Sequence, residues 1–232
     1  MKELNIKNDD ESQWLPISDL MSVLMMVFLL IAVSYMLKVY QEKAKIEEVA
    51  ITYNKLQNEL YNDINKEFKE DLKRWNAIID KTSLSVRFKA PEILFSDGSA
   101  DIKNDFKLIL NDFFPRFTEI LYSEKYKNEI EEIRIEGHTS SKWQLNTPEN
   151  VAYIKNMELS QSRTKNVLNY ILLIETDKRR NEWLKNNVTA NGLSSSKLIY
   201  DEKGNEDEEL SRRVEFRVKT NAEKRIAKIL NQ

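Results

Sequence analysis

The sequence predicts an α/β protein built from a single N-terminal membrane-crossing helix, a long helical connector and a two-layer α/β sandwich. Three observations carry this reading. Between Glu11 and Lys38 the only charged residue is Asp19. From Val39 to about Asp80 there is neither proline nor glycine, and apolar residues recur every three or four positions. Beyond that, short alternating stretches interleave with helical ones.

Residues 1–14 read as a short tail, placed on the cytoplasmic side, and 15–37 as the membrane helix. At ~1.5 Å per residue, Leu15 to Leu37 spans about 34 Å, one bilayer crossing. Trp14 at one end and Tyr35 with Tyr40 at the other suit the two interfaces, and Pro16 suits a first helical turn. A cleaved signal peptide is the competing reading, but the preceding segment is acidic and the run is long. Lys2 and Lys7 precede the run and Lys38, Lys43 and Lys45 follow it, a count that leans weakly against an external C-terminal domain, and a difference of about one charge does not settle the orientation.

An ionised carboxylate at mid-membrane costs roughly 2.5–3.5 kcal/mol, so Asp19 needs an explanation. Two are open. It is either an N-terminal helix charge favoured by the macrodipole near Pro16 and Ser18, or a proton-exchanging group turned with Ser22 and Met26 toward a partner or a water path.

In the connector, 38–80, the stripe Ile46, Val49, Tyr53, Leu56, Leu60, Ile64, Phe68, Leu72 and Trp75 defines one face. If continuous this helix reaches about 60 Å. Its stripe must pack either on a twin helix or on the domain that follows.

The sandwich occupies 81–220. Ser83–Phe88 alternates like a strand, Pro91–Phe95 continues extended, and Ser96-Asp97-Gly98 turns the chain. A helix runs from about Asp101 toward Phe113 and resumes past Pro115. Ile130–Glu136 is a second strand ending at Gly137, Asn156–Ile174 a helix, Lys178–Lys185 another, and Arg212–Val218 a late strand. Ala222–Leu230 forms a small helix within the closing segment, 221–232.

Composition excludes several functions. With no cysteine, one histidine (His138) and four glycines, there is no disulfide framework, thiol catalyst, His-rich metal cluster or Gly-rich phosphate loop. A net charge of −2 gives no electrostatic case for nucleic acid. His138 has no serine or second histidine at a motif spacing, so no enzyme and no cofactor is expected. Glu136 and Arg134 read as cross-strand charges.

Asn156, Leu159, Ser160 and Arg163 fall at i, i+3, i+4 and i+7 and so share a helical face. A guanidinium there can grip a carboxylate through two hydrogen bonds. The plainer alternative pairs Arg163 with a nearby glutamate.

The stretch PISDLMSVLMMVFLLIAV resembles the membrane signature of MotB-type stator subunits, whose single helix is headed by an aspartate followed by Leu-Met. The resemblance implies that Asp19, with Leu20 and Met21, carries a transported H+ or Na+. It also implies a homodimer inside a ring of multi-span MotA-like subunits, in the bacterial inner membrane with the C-terminal domain periplasmic.

Three further pieces, Ile135-Glu136-Gly137-His138-Thr139, Asn156-Met157-Glu158-Leu159-Ser160-Gln161-Ser162-Arg163 and Ser211-Arg212-Arg213-Val214-Glu215, resemble the OmpA-like peptidoglycan-binding module. That resemblance implies wall binding through Asn156, Leu159, Arg163, Arg213, Thr139 and Ser140. One position departs: family members usually carry an aspartate where this chain has Ser140. About eight extra residues also lengthen the following loop, Lys142 to Lys155, whose Glu149 is a candidate replacement acid.

The apolar core of the membrane run, the long charged connector and the altered wall motif are similar to the B subunits of Zorya anti-phage systems. A peptidoglycan-anchored, ion-driven motor subunit in antiviral defence is therefore the leading expectation. A flagellar stator, and a passive envelope tether without ion conduction, are the alternatives.

Overall fold

The computed structural model describes residues 11–89, 91–96 and 98–221. Its elements in chain order are α1 (Glu11–Leu72), β1 (Ala77–Asp80), β2 (Ser85–Phe88), α2 (Pro91–Leu94), α3 (Asn104–Leu121), β3 (Ile130–His138), α4 (Glu149–Ile174), α5 (Lys178–Asn187), β4 (Val188–Gly192), α6 (Glu208–Ser211) and β5 (Arg213–Thr220). The chain divides into two compact units, the first taking in α1 as far as Ile51 and the second beginning at Thr52. The expected helix at Ala222–Leu230 lies outside the described residues.

In the first unit, α1 is apolar on every side from Leu20 to Leu37. Leu20, Met25, Phe28 and Leu30 are all exposed, as is every described residue from Pro16 to Tyr40. Among the described residues, this is the one helix long and apolar enough to cross a membrane. It starts at Glu11, ahead of Pro16, so the proline sits inside the helix and not in its first turn. Asp19 is exposed on it, and one turn along Ser22 Oγ donates to the Ser18 carbonyl at 2.8 Å.

In the second unit the apolar stripe of α1 goes inward. Leu60, Ile64 and Phe68 are fully or almost fully buried in the domain core, which answers for these turns what the connector packs against. The helix stops at Leu72, short of the expected Asp80, because Ala77–Asp80 is claimed as β1 by an antiparallel pairing with β2.

The sheet order is β1-β2-β5-β3-β4. All pairings are antiparallel except β3 with β4, which are parallel and joined through α4 and α5. One face, carrying Val86, Phe88, Ile133, Ile135, Val214, Phe216 and Val218, is buried. Strand alternation puts Ser85, Arg87, Arg134, Glu136, Arg213, Glu215 and Arg217 on the other.

The helical layer meets the apolar face with aromatic rings. Phe106, Phe113, Phe114 and Phe117 of α3 recur at helical spacing and are fully buried, and Phe113 packs edge-on to Phe88 and Phe216 at 5.1 and 5.2 Å between centroids. Pro115 lies within a continuous α3 and does not interrupt it.

Pro91–Leu94 forms a short helix where an extended segment was expected, and only Phe95 keeps a strand-like bridge, to Ile102. A further departure is at α4, which begins at Glu149, seven residues ahead of the expected Asn156, so half of the lengthened loop is helix.

Candidate functional site

The site forms where β3 ends, β5 begins and α4 crosses them. α4 comes unusually close. A Cβ on Gly137 would lie 2.7 Å from Thr164 Cγ2 and 2.9 Å from the Ser160 carbonyl, and one on Gly192 would lie 2.3 Å from the Gln161 backbone nitrogen. Only glycine admits that approach. The helical face foreseen from spacing is real: Asn156, Ser160 and Thr164 are buried along it, with Leu159 and Arg163 half-buried at its margin.

Arg163 reaches the loop that follows α2. Its Nε donates to the Ser99 carbonyl at 2.9 Å, Nη2 lies 3.4 Å from the Ser96 carbonyl, and the guanidinium sits 4.8 Å from the Phe95 ring centroid. Arg163, His138 and Arg213 share a cavity of about 10 Å³, room for a single water, with Phe95 as its apolar wall.

Asn156, Thr139 and Ser140 are not on that cavity. Asn156 Nδ2 donates to the carbonyls of Ser140 and Lys142, both at 3.1 Å, and so pins the loop leaving β3. Thr139 donates its backbone N–H to the Ser194 carbonyl at 2.9 Å. Its hydroxyl is buried without a partner, and Ser140 is buried beside it.

Arg213 is 6% exposed. It donates from Nε to Glu215 Oε1 at 2.6 Å and from Nη1 to the carbonyls of Lys197 and Ser211. Arg87 Nε reaches the same Glu215 oxygen at 2.8 Å, while Ser85 Oγ donates to the other at 3.0 Å.

Glu215 is a residue that sequence reasoning did not single out. Burial alone would push its carboxyl up, but the Arg213 hydrogen bond and the charges of Arg213 and Arg87 outweigh burial and hold it at about 2. Directly opposite on β3 stands Glu136, with His138 lying 3.7 Å from Glu136 and 3.8 Å from Glu215. Burial pushes the His138 imidazole down, against the pull of Glu136, and keeps it neutral.

Glu136, His138 and Glu215 have ligand-type atoms within 4.8 Å of one another. Two guanidinium groups already occupy the Glu215 oxygen, so this cluster is an ion-pair network and a poor seat for a cation.

A second unforeseen residue is Glu206. Its carboxylate accepts from the Ser141 backbone N–H at 2.8 Å and from the Ser141 hydroxyl, while Lys142 pairs with Glu208 at 2.6 Å. An acid from the segment before β5 therefore holds Ser141, the residue after Ser140. Glu149 is exposed at the start of α4.

No family model matches the chain. It is 47% identical over 231 residues, 100% of its own length and 97% of the relative's, to the Zorya protein ZorB of Escherichia coli strain Crooks. Among solved structures it is similar to a MotB-like protein from Desulfovibrio vulgaris, with a TM-score of 0.50, 21% identity, and coverage of 72% of this chain and 96% of that one. That likeness is one of fold. The cell wall anchor of the T6SS from Pseudomonas aeruginosa aligns at a TM-score of 0.45 and 20% identity, over 68% of this chain and 96% of that one. By full-length identity, the chain belongs to the ZorB family of Zorya proteins.

Proposed function

We propose that this chain is the wall-anchored, ion-carrying subunit of a stator-type membrane motor serving anti-phage defence. The observation that carries the reading is Asp19, the one charged residue between Glu11 and Lys38, on a helix whose apolar side chains are exposed on every side. Such a surface calls for lipid or apolar partners, and a carboxylate within it calls for a proton, a neighbour or a water path.

In this reading α1 crosses the inner membrane once and the sheet domain is periplasmic. A second copy of the chain and a ring of multi-span MotA-like subunits surround Asp19, and H+ or Na+ passes by way of its carboxylate. A membrane potential of 100 mV supplies about 2.3 kcal/mol per charge moved.

The sheet domain holds that helix still against peptidoglycan. Arg163, aimed at the rim of the cavity, grips a stem-peptide carboxylate, with Leu159 beside it on the same helix. Thr139 and Ser140 form the adjoining loop, while Asn156 and Arg213 position the loop and the β5 end of the site. The ZorB relationship supports the defence role, and the MotB-like fold supports the anchor.

Asp19→Asn keeps size and hydrogen bonding but cannot ionise. It is expected to abolish protection in a phage plaque assay at normal expression; undiminished protection would overturn the motor and leave a passive tether. Arg163→Ala is expected to weaken co-sedimentation with purified sacculi, and unchanged co-sedimentation would remove Arg163 from the wall site.

A further inference from the structure

On the sheet face away from the core, Arg134 of β3 stands directly opposite Arg217 of β5. Like charges so placed repel and destabilise a sheet. Their neutralisation is partial. Arg134 donates from Nε to Glu132 at 2.7 Å, but Glu132 also accepts from Thr189 at 2.7 Å. Arg217 lies 3.8 Å from Glu136, beyond hydrogen-bond reach. Among the described residues, neither the terminal nitrogens of Arg134 nor any side-chain nitrogen of Arg217 donates a hydrogen bond.

Both arginines open into a polar cleft of about 280 Å³, bounded by Gln57 of α1, Ser83 of the turn before β2, and Lys219 and Thr220 of β5. Among the described residues, no carboxylate lines it. Thr220 is 4% exposed, and its Oγ1 is buried without a hydrogen-bond partner, a rarity for a native hydroxyl.

We propose that this cleft binds a phosphate-class oxyanion. Two guanidinium forks facing each other across a strand pair present several N–H donors to one tetrahedral oxyanion, the geometry in which arginine binds most strongly. A bound dianion relieves the Arg134–Arg217 repulsion. Because Gln57 belongs to α1 and the arginines to the sheet, the anion bridges the connector helix and the β3–β5 pair. The inference is independent of the motor reading.

Free phosphate and the phosphodiester headgroup of an anionic lipid share this chemistry. The test is equilibrium dialysis of the full chain in neutral detergent against inorganic phosphate and, separately, against glycerophosphoglycerol. Saturable binding of at least one probe is expected, and the tighter probe identifies the source.

Arg217→Gln should weaken that binding roughly tenfold or more, as expected for loss of charged hydrogen bonds. Gln57→Glu, which adds a carboxylate from α1 and leaves the sheet intact, should do the same even where Arg217→Gln folds poorly. No saturable binding of either probe, or binding unchanged in both variants, overturns the proposal.

Discussion

Arg213 donates from Nε to Oε1 of Glu215 at 2.6 Å, two residues along one strand, and both side chains are 5% exposed. The pair has a pH signature. Glu215 is held at about 2, against a carboxyl value of 4.5 when free of the fold. A depressed carboxyl contributes stability that is fully present above its unfolded value and lost as pH falls through its folded value. In urea unfolding of the full chain in detergent, roughly 3 kcal/mol should therefore disappear between about pH 4.5 and 2. Glu215→Gln should remove that slope and cost about 3–5 kcal/mol at pH 7, because Arg213 is left buried without its partner. Wild-type and variant profiles that stay parallel down to pH 2 would contradict this.

The approach of α4 to the sheet gives a second prediction. Gly192→Ala places a Cβ against the Gln161 backbone, at 2.3 Å in the present geometry, where no side-chain rotation gives relief. It should destabilise the domain by about 1–3 kcal/mol through overpacking, and it should disturb the 2.7 Å bond from Gly192 N–H to Gln161 Oε1. Urea midpoints at constant m-value measure it; an unshifted midpoint would mean that the helix can slide away freely.

Arg116 ties α1 to α3. It donates to Glu67 at 2.7 Å, Asp71 at 2.9 Å and Asp112 at 3.0 Å, and lies 4.9 Å from the Phe68 ring centroid. Arg116→Ala leaves Glu67 without this cation and Asp71 and Asp112 with Arg74 alone, so opening of the last turns of α1 should become easier by about 1–3 kcal/mol. Lysine should restore only part of this, because a point charge cannot serve three acids in a planar fork. Hydrogen exchange of amides 60–72 reads the effect, and equal protection in wild type, alanine and lysine variants would count against it.

Asn156→Ala removes both bonds that pin the loop after β3. Faster exchange at residues 140–142 is expected, with a stability loss of about 1–3 kcal/mol for the carbonyls left unpaired. If Asn156 instead touched ligand alone, the loop would be unaffected and only wall co-sedimentation would fall.

Much of this was readable from pattern. β2, β3 and β5 alternate apolar and polar residues over a half-buried sheet, and α1, α3 and α4 show three- and four-residue spacing. β1 and β4 did not announce themselves. Ala77–Asp80 is four residues following a long helical pattern, and only its register against β2 makes it a strand. Val188–Gly192 contains Ala, Asn and Gly, poor strand formers, and holds its place through parallel pairing with β3 and the close contact of α4.

The helical face of Arg163 was visible in spacing of three and four. Its partners Ser96 and Ser99 lie more than sixty residues away, as Glu206 does from Ser141. Local pattern carries no information at that separation. Glu215 was hidden for another reason: in a strand read as alternating, a glutamate marks the wet face, and here that face is shut at one end.

The position of β5 has a consequence for assembly. It lies between β2 and β3, which share no hydrogen bonds with each other. Until residues 213–220 have left the ribosome, the hairpin of β1 and β2 and the parallel pair of β3 and β4 are separate fragments with open edges, and the aromatic rings of α3 lack Phe216. Closure of the domain is therefore a late event that waits on β5, the last strand among the described residues. A nascent chain halted before Arg213 carries its apolar N-terminal helix without a finished domain behind it.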